Sequence, residues 1–365
     1  MKILILGDYS SFGLNLKKGF EKEGIKTILL STGDSWKKID GSDIKLSTSK
    51  FLLIKILKKI YNRHILNSFY KKNLKSFDYI LIMNQEFIKN KFSDYFRLTF
   101  GLKELQNLKL EKGKIFLLAC GTDFYELKNK FKLRYSPYDD ITSENKKYFL
   151  TFKEEEKLLK NITAVIPTMY EYSLGYRESI WKNKTLPTIP LCIDVSEIPY
   201  KDNKIIDKII IFHGINREGF KGSEIIKRAM ENIKIKYPEK VEIIINGKMP
   251  LKKYKEVLEK ANIIIDQCRS YSYGMNALYS MALGKVVLSG NEKECQEEFK
   301  RSDIPILNIP PVEKEIEEKL EYLIKNPHLI EEIGKTSRKF VEEFHDCKVV
   351  IKKYIEIFNK EKNEK

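Results

Sequence analysis

Strand-length apolar runs, each separated from the next by enough chain for a helix, restrict the fold of this sequence more than any other feature. One series occupies residues 2–6, 25–30, 79–83, 114–119 and 164–167. A second occupies residues 208–212, 241–246, 263–266 and 286–288, with helix-length stretches at about 222–235, 251–260 and 274–283 between its members. Strands and helices in alternation build parallel sheets with helices packed on their faces. The expectation is an α/β protein of two Rossmann-like parallel-sheet domains. Between the two series, the segment from Leu186 to Asp194 carries Pro187 and Pro190 and breaks the pattern, so the junction is placed there. At 365 residues the chain is too long for one ordinary hydrophobic core. The expected division is residues 1–190, residues 195–345, and a last helix within 346–365 that packs back on the N-terminal domain. Two such domains place a cleft between the carboxyl ends of their sheets, where ligands of these folds bind.

Composition narrows the chemistry. Apolar residues are 42% of the chain and charged residues 32%, which excludes extensive disorder. The longest apolar runs are strand-sized, far below the roughly 20 residues that cross a bilayer. Asp8 interrupts the N-terminal run before it reaches signal-peptide length, so a cytoplasmic location is expected. Cys120, Cys192, Cys268, Cys295 and Cys347 are odd in number and form no Cys-x-x-Cys pair, and they read as buried thiols. His64, His213, His328 and His345 include no ligand-spaced pair, so neither a metal site nor a cofactor is expected. Lys and Arg number 67 against 51 Asp and Glu, a net charge of +16 that attracts phosphates in nucleotides, nucleic acid or anionic lipid. No nucleic-acid recognition motif accompanies the charge, and a nucleic-acid partner ranks last.

Three stretches of the second half carry the candidate chemistry. His213-Gly-Ile-Asn-Arg217-Glu-Gly-Phe-Lys221-Gly222-Ser223 reads as a strand end, a loop with two cations and a helix start. Such a loop can hold a diphosphate, because Arg offers a planar fork, Lys a point charge and the helix start unpaired N–H groups. It also reads as a surface loop with solvated cations. Asn246-Gly247-Lys248 follows another strand. In Tyr271-Ser272-Tyr273-Gly274 through Asn276, Tyr279 and Gly284, a Gly opens a helix of small residues and a second Gly closes it. Gly at a helix entrance lets a phosphate approach the backbone.

With these stretches in this order, the second half resembles the donor-nucleotide domain of GT-B glycosyltransferases of the retaining family-4 type, over about residues 208–290. The resemblance implies that Arg217 and Lys221-Gly222 hold the donor diphosphate. It also implies that Gly247, Tyr271, Ser272, Tyr273, Gly274, Asn276 and Tyr279 line the donor site. The family places two glutamates eight positions apart here, one facing the donor sugar and one the ribose, and Tyr271 and Tyr279 stand in their positions. A Tyr hydroxyl makes single hydrogen bonds where a carboxylate holds two sugar hydroxyls. A non-catalytic GT-B-like protein that binds a nucleotide or a partner is therefore the alternative. Nucleotide-sugar epimerases share the architecture.

In the first half, Gly7-Asp-Tyr-Ser-Ser-Phe-Gly13 sits where the resemblance implies a flexible acceptor-side glycine loop; it is equally a plain strand-to-helix turn. Cys120-Gly-Thr-Asp123 ends an inner strand. Asp123 either meets an acceptor hydroxyl, as a third catalytic residue beside Arg217 and Lys221, or caps the helix that follows. From Ile44 to Phe77 the chain has nine Lys or Arg and no Asp or Glu. Lys55, Lys58, Lys59 and Arg63 line one face of an amphipathic helix there, which suits an anionic membrane surface or a wet helix on its own domain. The expected activity is transfer of a hexosyl group from a nucleotide sugar, with retention, to a glycan or lipid-linked acceptor in cell-surface polysaccharide synthesis at the inner face of a membrane.

Overall fold

The computed structural model describes residues 1–33, 39–46, 61, 64–65, 68–69, 76–84, 114–139, 152–215, 217–247 and 251–363. The basic stripe of Lys55, Lys58, Lys59 and Arg63 lies outside the described residues, as does Lys248. The chain forms two compact units. One comprises Met1–Asn129, Ser143–Thr168 and Tyr172–Ile189; the other comprises Lys130–Thr142, Met169–Glu171 and Pro190–Lys365.

The first unit holds a six-stranded sheet of β1 (Lys2–Leu6), β2 (Lys26–Ser31), β3 (Ile44–Lys45), β4 (Tyr79–Met83), β5 (Lys114–Ala119) and β6 (Ala164–Pro167). Its order is β3-β2-β1-β4-β5-β6 and every pairing is parallel. Leu4 of β1 lies opposite Ile28 on one side and Ile80 on the other. Ile3 through Leu6 are fully buried on both faces, which is why the run is apolar at every position instead of alternate ones. Helices α1 (Phe12–Lys22), α2 (Phe124–Asn129), α3 (Phe152–Asn161) and α4 (Tyr170–Arg177) follow in chain order. Leu16 and Phe20 of α1 are buried one turn apart.

The second unit holds a five-stranded sheet of β7 (Ile209–Ile215), β8 (Val241–Gly247), β9 (Ile263–Ile265), β10 (Val286–Ser289) and β11 (Ile306–Asn308), in the order β11-β10-β9-β7-β8 and again all parallel. Its helices are α5 (Glu218–Lys221), α6 (Ser223–Lys236), α7 (Leu251–Lys260), α8 (Met275–Ala282), α9 (Lys293–Phe299), α10 (Glu313–Lys325), α11 (His328–Phe344) and α12 (Cys347–Asn363). Successive residues of a strand point to opposite faces, and both faces are covered. Ile263 and Ile265 of β9 pack in a cluster with Ile226 and Met230 of α6 and Leu320 of α10, while Ile264 joins Phe212 and Leu258 on the other face. Burying each such side chain contributes about 1.5–3 kcal/mol.

β3 and β11 were not expected from the sequence. Each is an edge strand, two and three residues long. β11 lies between Pro305 and Pro310; an edge strand tolerates prolines because one side needs no ladder partner. All five cysteines are free and buried. No helix of the described residues is long and apolar enough to cross a membrane.

Candidate functional site

Where the strand order of an open parallel sheet reverses, the loops beyond the carboxyl ends of the strands part and leave a crevice. In the second unit the reversal lies between β7 and β9. Near the end of β7, His213 is fully buried, with Nδ1 2.8 Å from the Ile265 carbonyl on β9 and Nε2 2.9 Å from the Ser223 hydroxyl. A carbonyl only accepts, so Nδ1–H donates to it and Nε2 accepts from Ser223. Burial lowers the His213 pKa to about 4, so the ring is a neutral tie between the strand ends and α6. Gly222 caps α6 in the left-handed region at φ 74°, and a Cβ there would lie 2.4 Å from Cys268 Sγ. Only Gly permits both.

Four polar side chains form a chain across this point. Lys221, 8% exposed, donates from Nζ to Oδ1 of Asp266 at 2.7 Å, and Asp266, 2% exposed, follows β9 directly. The same Oδ1 accepts from Nδ2 of Asn276 in α8 at 2.9 Å. Tyr254 of α7 donates to Oδ1 of Asn276. The ammonium that the resemblance assigns to a diphosphate is thus neutralised by Asp266. Arg217 is exposed, with its guanidinium 3.6 Å from the ring centroid of Phe220. Phe220 in turn meets Tyr138 edge-on at 5.5 Å. Gly247 ends β8 so close to β7 that a Cβ would lie 2.3 Å from the Ile215 carbonyl oxygen.

The loop between β9 and α8 is fastened along its length. Gln267 donates to the Ser272 carbonyl at 2.9 Å, the Ser272 N–H to Oε1 of Glu171 at 2.9 Å, and the Glu292 N–H to the Tyr271 carbonyl at 3.0 Å. Gly290 lets the chain after β10 pass beneath it: a Cβ there would lie 2.0 Å from the Ser270 carbonyl oxygen. Gly274 then starts α8 in extended conformation, with no side chain capping the first N–H groups. The other end of α8 is closed by Gly284 at φ 78° and by Arg338, whose Nη1 donates to the carbonyls of Ala282 and Ile198, both at 2.8 Å. A cation suits the negative end of the helix dipole.

Tyr271 is buried, and its hydroxyl accepts from the Arg134 N–H at 2.7 Å and from Arg134 Nε at 3.2 Å. Arg134 Nη2 donates to Oε2 of Glu292 at 2.5 Å. Glu292 also accepts from the Tyr135 hydroxyl at 2.5 Å and from Asn308 Nδ2 at 2.8 Å. Burial alone would raise the Glu292 pKa, but these donors hold it below the ordinary glutamate value. Burial raises that of Glu171, despite its hydrogen bonds to the loop. Beyond Asp266 the loop has no acidic residue of its own, and the fold brings Glu171 and Glu292 to it. Neither is legible in the sequence, nor is Arg134, because the segments 130–142 and 169–171 lie among first-unit elements in chain order and join the second unit only in space.

Several expected site residues have other engagements. Tyr273 is buried among Phe299 and His345, and its hydroxyl donates to Nε2 of His345 at 2.9 Å, while His345 Nδ1–H donates to the Leu191 carbonyl at 2.7 Å. This places the Tyr273 ring in the core and leaves its backbone to the loop. Tyr279, partly buried, lies one turn beyond Met275 on α8.

In the first unit, Asp123 is 3% exposed and is the N-cap of α2: Oδ1 accepts from the Glu126 N–H at 2.8 Å. Its Oδ2 lies 3.0 Å from the Tyr176 hydroxyl, which is also 3.1 Å from Glu155. The helix cap, one of the two readings of Asp123, is what these contacts show. Gly7 and Gly13 form one closed turn, with φ 101° at Gly7, a Gly13 N–H to Asp8 bond of 2.9 Å, and only 2.7 Å between the Gly7 oxygen and a Cβ placed on Gly13. Among the described residues no group of three or more His, Cys, Asp or Glu side chains could hold a metal ion.

No protein-family model and no curated protein matches the sequence. Solved structures do match the fold. Sucrose-phosphate synthase from Thermosynechococcus elongatus superposes with a TM-score of 0.66 at 12% identity, covering 100% of both chains. HepE of Anabaena, in complex with UDP and glucose, superposes at 0.61 with 10% identity, covering 99% of this chain and 100% of that one. UDP-GlcNAc 2-epimerase from Neisseria meningitidis, bound to UDP-GlcNAc, superposes at 0.52 with 12% identity over 99% of this chain and 100% of that one. The chain has the GT-B fold, two parallel-sheet α/β domains of six and five strands.

Proposed function

We propose that the chain is a glycosyltransferase that takes a sugar from a nucleotide sugar, with uridine diphosphate the first nucleotide to test. The observation that carries this reading is the match, over essentially the whole of both chains, to HepE with UDP and glucose. Arg217 in the loop after β7, and Lys221, linked through Asp266 to Asn276 in the first turn of α8, support it locally. Gly247, Tyr271, Ser272, Asn276 and Tyr279 complete the donor site in this reading. As the bond from the sugar's anomeric carbon to the diphosphate breaks, the two cations and the helix N–H groups stabilise charge on the leaving oxygens, the electrostatic contribution that dominates many such steps. Lys221 exchanges Asp266 for the diphosphate when the donor binds. The acceptor oxygen joins the anomeric carbon on the face that the diphosphate leaves and passes its proton to the departing diphosphate oxygen, with net retention. A glycan or lipid-linked acceptor, a role in cell-surface polysaccharide synthesis and a membrane contact through the basic segment extend the reading.

The test is thermal unfolding against UDP, GDP, CMP, ADP and their sugar conjugates, with an Arg217→Ala, Lys221→Ala double variant alongside. At 100 times the dissociation constant a ligand adds about 2.7 kcal/mol. A shift with one nucleotide, lost in the variant, supports the reading; no shift with any of them refutes it. One observation favours a non-catalytic nucleotide- or partner-binding role, namely the closed Lys221–Asp266 pair. The epimerase match favours isomerisation of the donor instead. Incubation with a nucleotide sugar, with and without acceptor, separates the three: transferred sugar, an epimer, or unchanged donor.

A further inference from the structure

Arg134 combines two properties that rarely meet. Its side chain is 63% exposed, yet its guanidinium is fixed by two bonds, Nε to the Tyr271 hydroxyl and Nη2 to Glu292, while its backbone N–H donates to the same Tyr271 hydroxyl. An exposed arginine ordinarily keeps its rotamer freedom, and a surface ion pair contributes little against that entropy. Here the anchor is itself built. Glu292 is 8% exposed and is oriented by Tyr135 and Asn308 before it meets the arginine. The arrangement leaves Nη1 with no hydrogen bond among the described residues.

Its surroundings indicate what Nη1 is held for. Tyr271, whose hydroxyl accepts from Arg134, lies three residues before the uncapped start of α8. From Arg134 the chain runs through buried Tyr135 to buried Tyr138, which packs on Phe220, and Phe220 carries the Arg217 guanidinium on its face. The Tyr138 and Phe220 rings thus connect the segment that carries Arg134 with Arg217. Lys221 is buried against Asp266.

We propose that Arg134 is a donor-contacting residue whose pre-oriented Nη1 edge binds an oxyanion of the nucleotide sugar, and that Tyr135, Glu292 and Asn308 are there to position it. The inference rests on the glycosyltransferase reading and adds a binding residue that reading lacks. Arginine suits the task because its planar fork makes charge-assisted bonds to phosphate or carboxylate oxygens. On a nucleotide sugar that oxyanion is the diphosphate or the carboxylate of an acidic sugar.

Calorimetric titration of the full chain with UDP, UDP-glucose and UDP-glucuronate, using wild type, Arg134→Gln, Arg134→Lys and Glu292→Gln, tests it. One charge-assisted bond corresponds to a loss of roughly 10- to 100-fold in affinity. Arg134→Gln weakening all three ligands by that factor identifies the diphosphate; weakening UDP-glucuronate alone identifies a sugar carboxylate. Arg134→Lys, which keeps the charge without the fork, recovers part of the loss. Glu292→Gln lowers affinity in the same pattern as Arg134→Gln, which a merely structural role would not produce. Melting curves of the unliganded variants show whether each is folded. Wild-type binding with Arg134→Gln unchanged overturns this inference and leaves the donor site standing. No binding of any nucleotide by the wild type overturns the donor site and this inference with it.

Discussion

Asp266→Asn isolates the pair at the β7/β9 reversal. The substitution keeps the side-chain volume and one oxygen near Lys221, and it removes the carboxylate charge 2.7 Å from Nζ. Lys221 and Asp266 are 8% and 2% exposed, so water cannot take over the solvation of the ammonium. Breaking a buried pair by removing one member costs about 3–5 kcal/mol; the retained oxygen places this case near the lower bound, about 3 kcal/mol. For a domain of this size each kcal/mol moves Tm by about 2–4 °C, so the transition of the second unit falls by about 6–12 °C. The reasoning also fixes the response to ligand. In the wild type a diphosphate competes with Asp266 for Lys221, whereas in the variant it restores a missing counter-charge. UDP therefore raises Tm by more in Asp266→Asn than in the wild type, at equal multiples of the wild-type dissociation constant. Circular dichroism melts of both proteins across a UDP titration read both effects. A variant that melts within about 2 °C of wild type, or that gains no more from UDP, refutes the argument.

Other consequences are independent of the donor. A Cβ at Gly334 of α11 would lie 2.3 Å from the Gly284 oxygen at the end of α8, so Gly334→Ala should destabilise by about 1–3 kcal/mol in urea unfolding, as overpacking does. Arg338→Ala removes the donors that close α8 and should cost about 1.5–3 kcal/mol by the same measurement; no loss would mean that the carbonyls are served by water. His213 and His345 have folded pKa values lowered by burial from 6.5 to about 4 and about 3. The unfolded chain therefore binds more protons between pH 6.5 and those values, and stability falls as pH drops through that window and levels off below it for each group. Urea midpoints that do not change between pH 7 and pH 4 would contradict neutral buried rings.

The parallel sheets were legible because their strands are apolar at every position and spaced by helix-length chain. Helices ended where glycine or proline placed them, as at Gly222 and Gly284. The edge strands β3 and β11 escaped because two- or three-residue strands carry no period. The candidate loops were legible as backbone: Gly274 opens α8 and Arg217 stands in the loop after β7. What surrounds that loop was not. Arg134, Tyr135 and Glu171 reach it from segments whose local sequence carries no signal of a distant partner, and Glu292 reads as an ordinary acid after a strand. Asp123 shows the converse case, in which a residue type that suits chemistry also suits a helix cap, and the 2.8 Å bond to the Glu126 N–H shows the cap.

The central claim is that the second unit binds a nucleotide sugar through Arg217 and Lys221 and releases its diphosphate. Release of nucleoside diphosphate from the nucleotide sugar that stabilises the protein most, measured for wild type and for Arg217→Ala and Lys221→Ala, tests it most directly. The account predicts turnover by the wild type and a loss of roughly 100-fold or more in kcat in each variant, the size seen when one stabilising donor is removed from a transition state. Turnover unchanged in both variants, or binding by the wild type with no release from any nucleotide sugar, would contradict it.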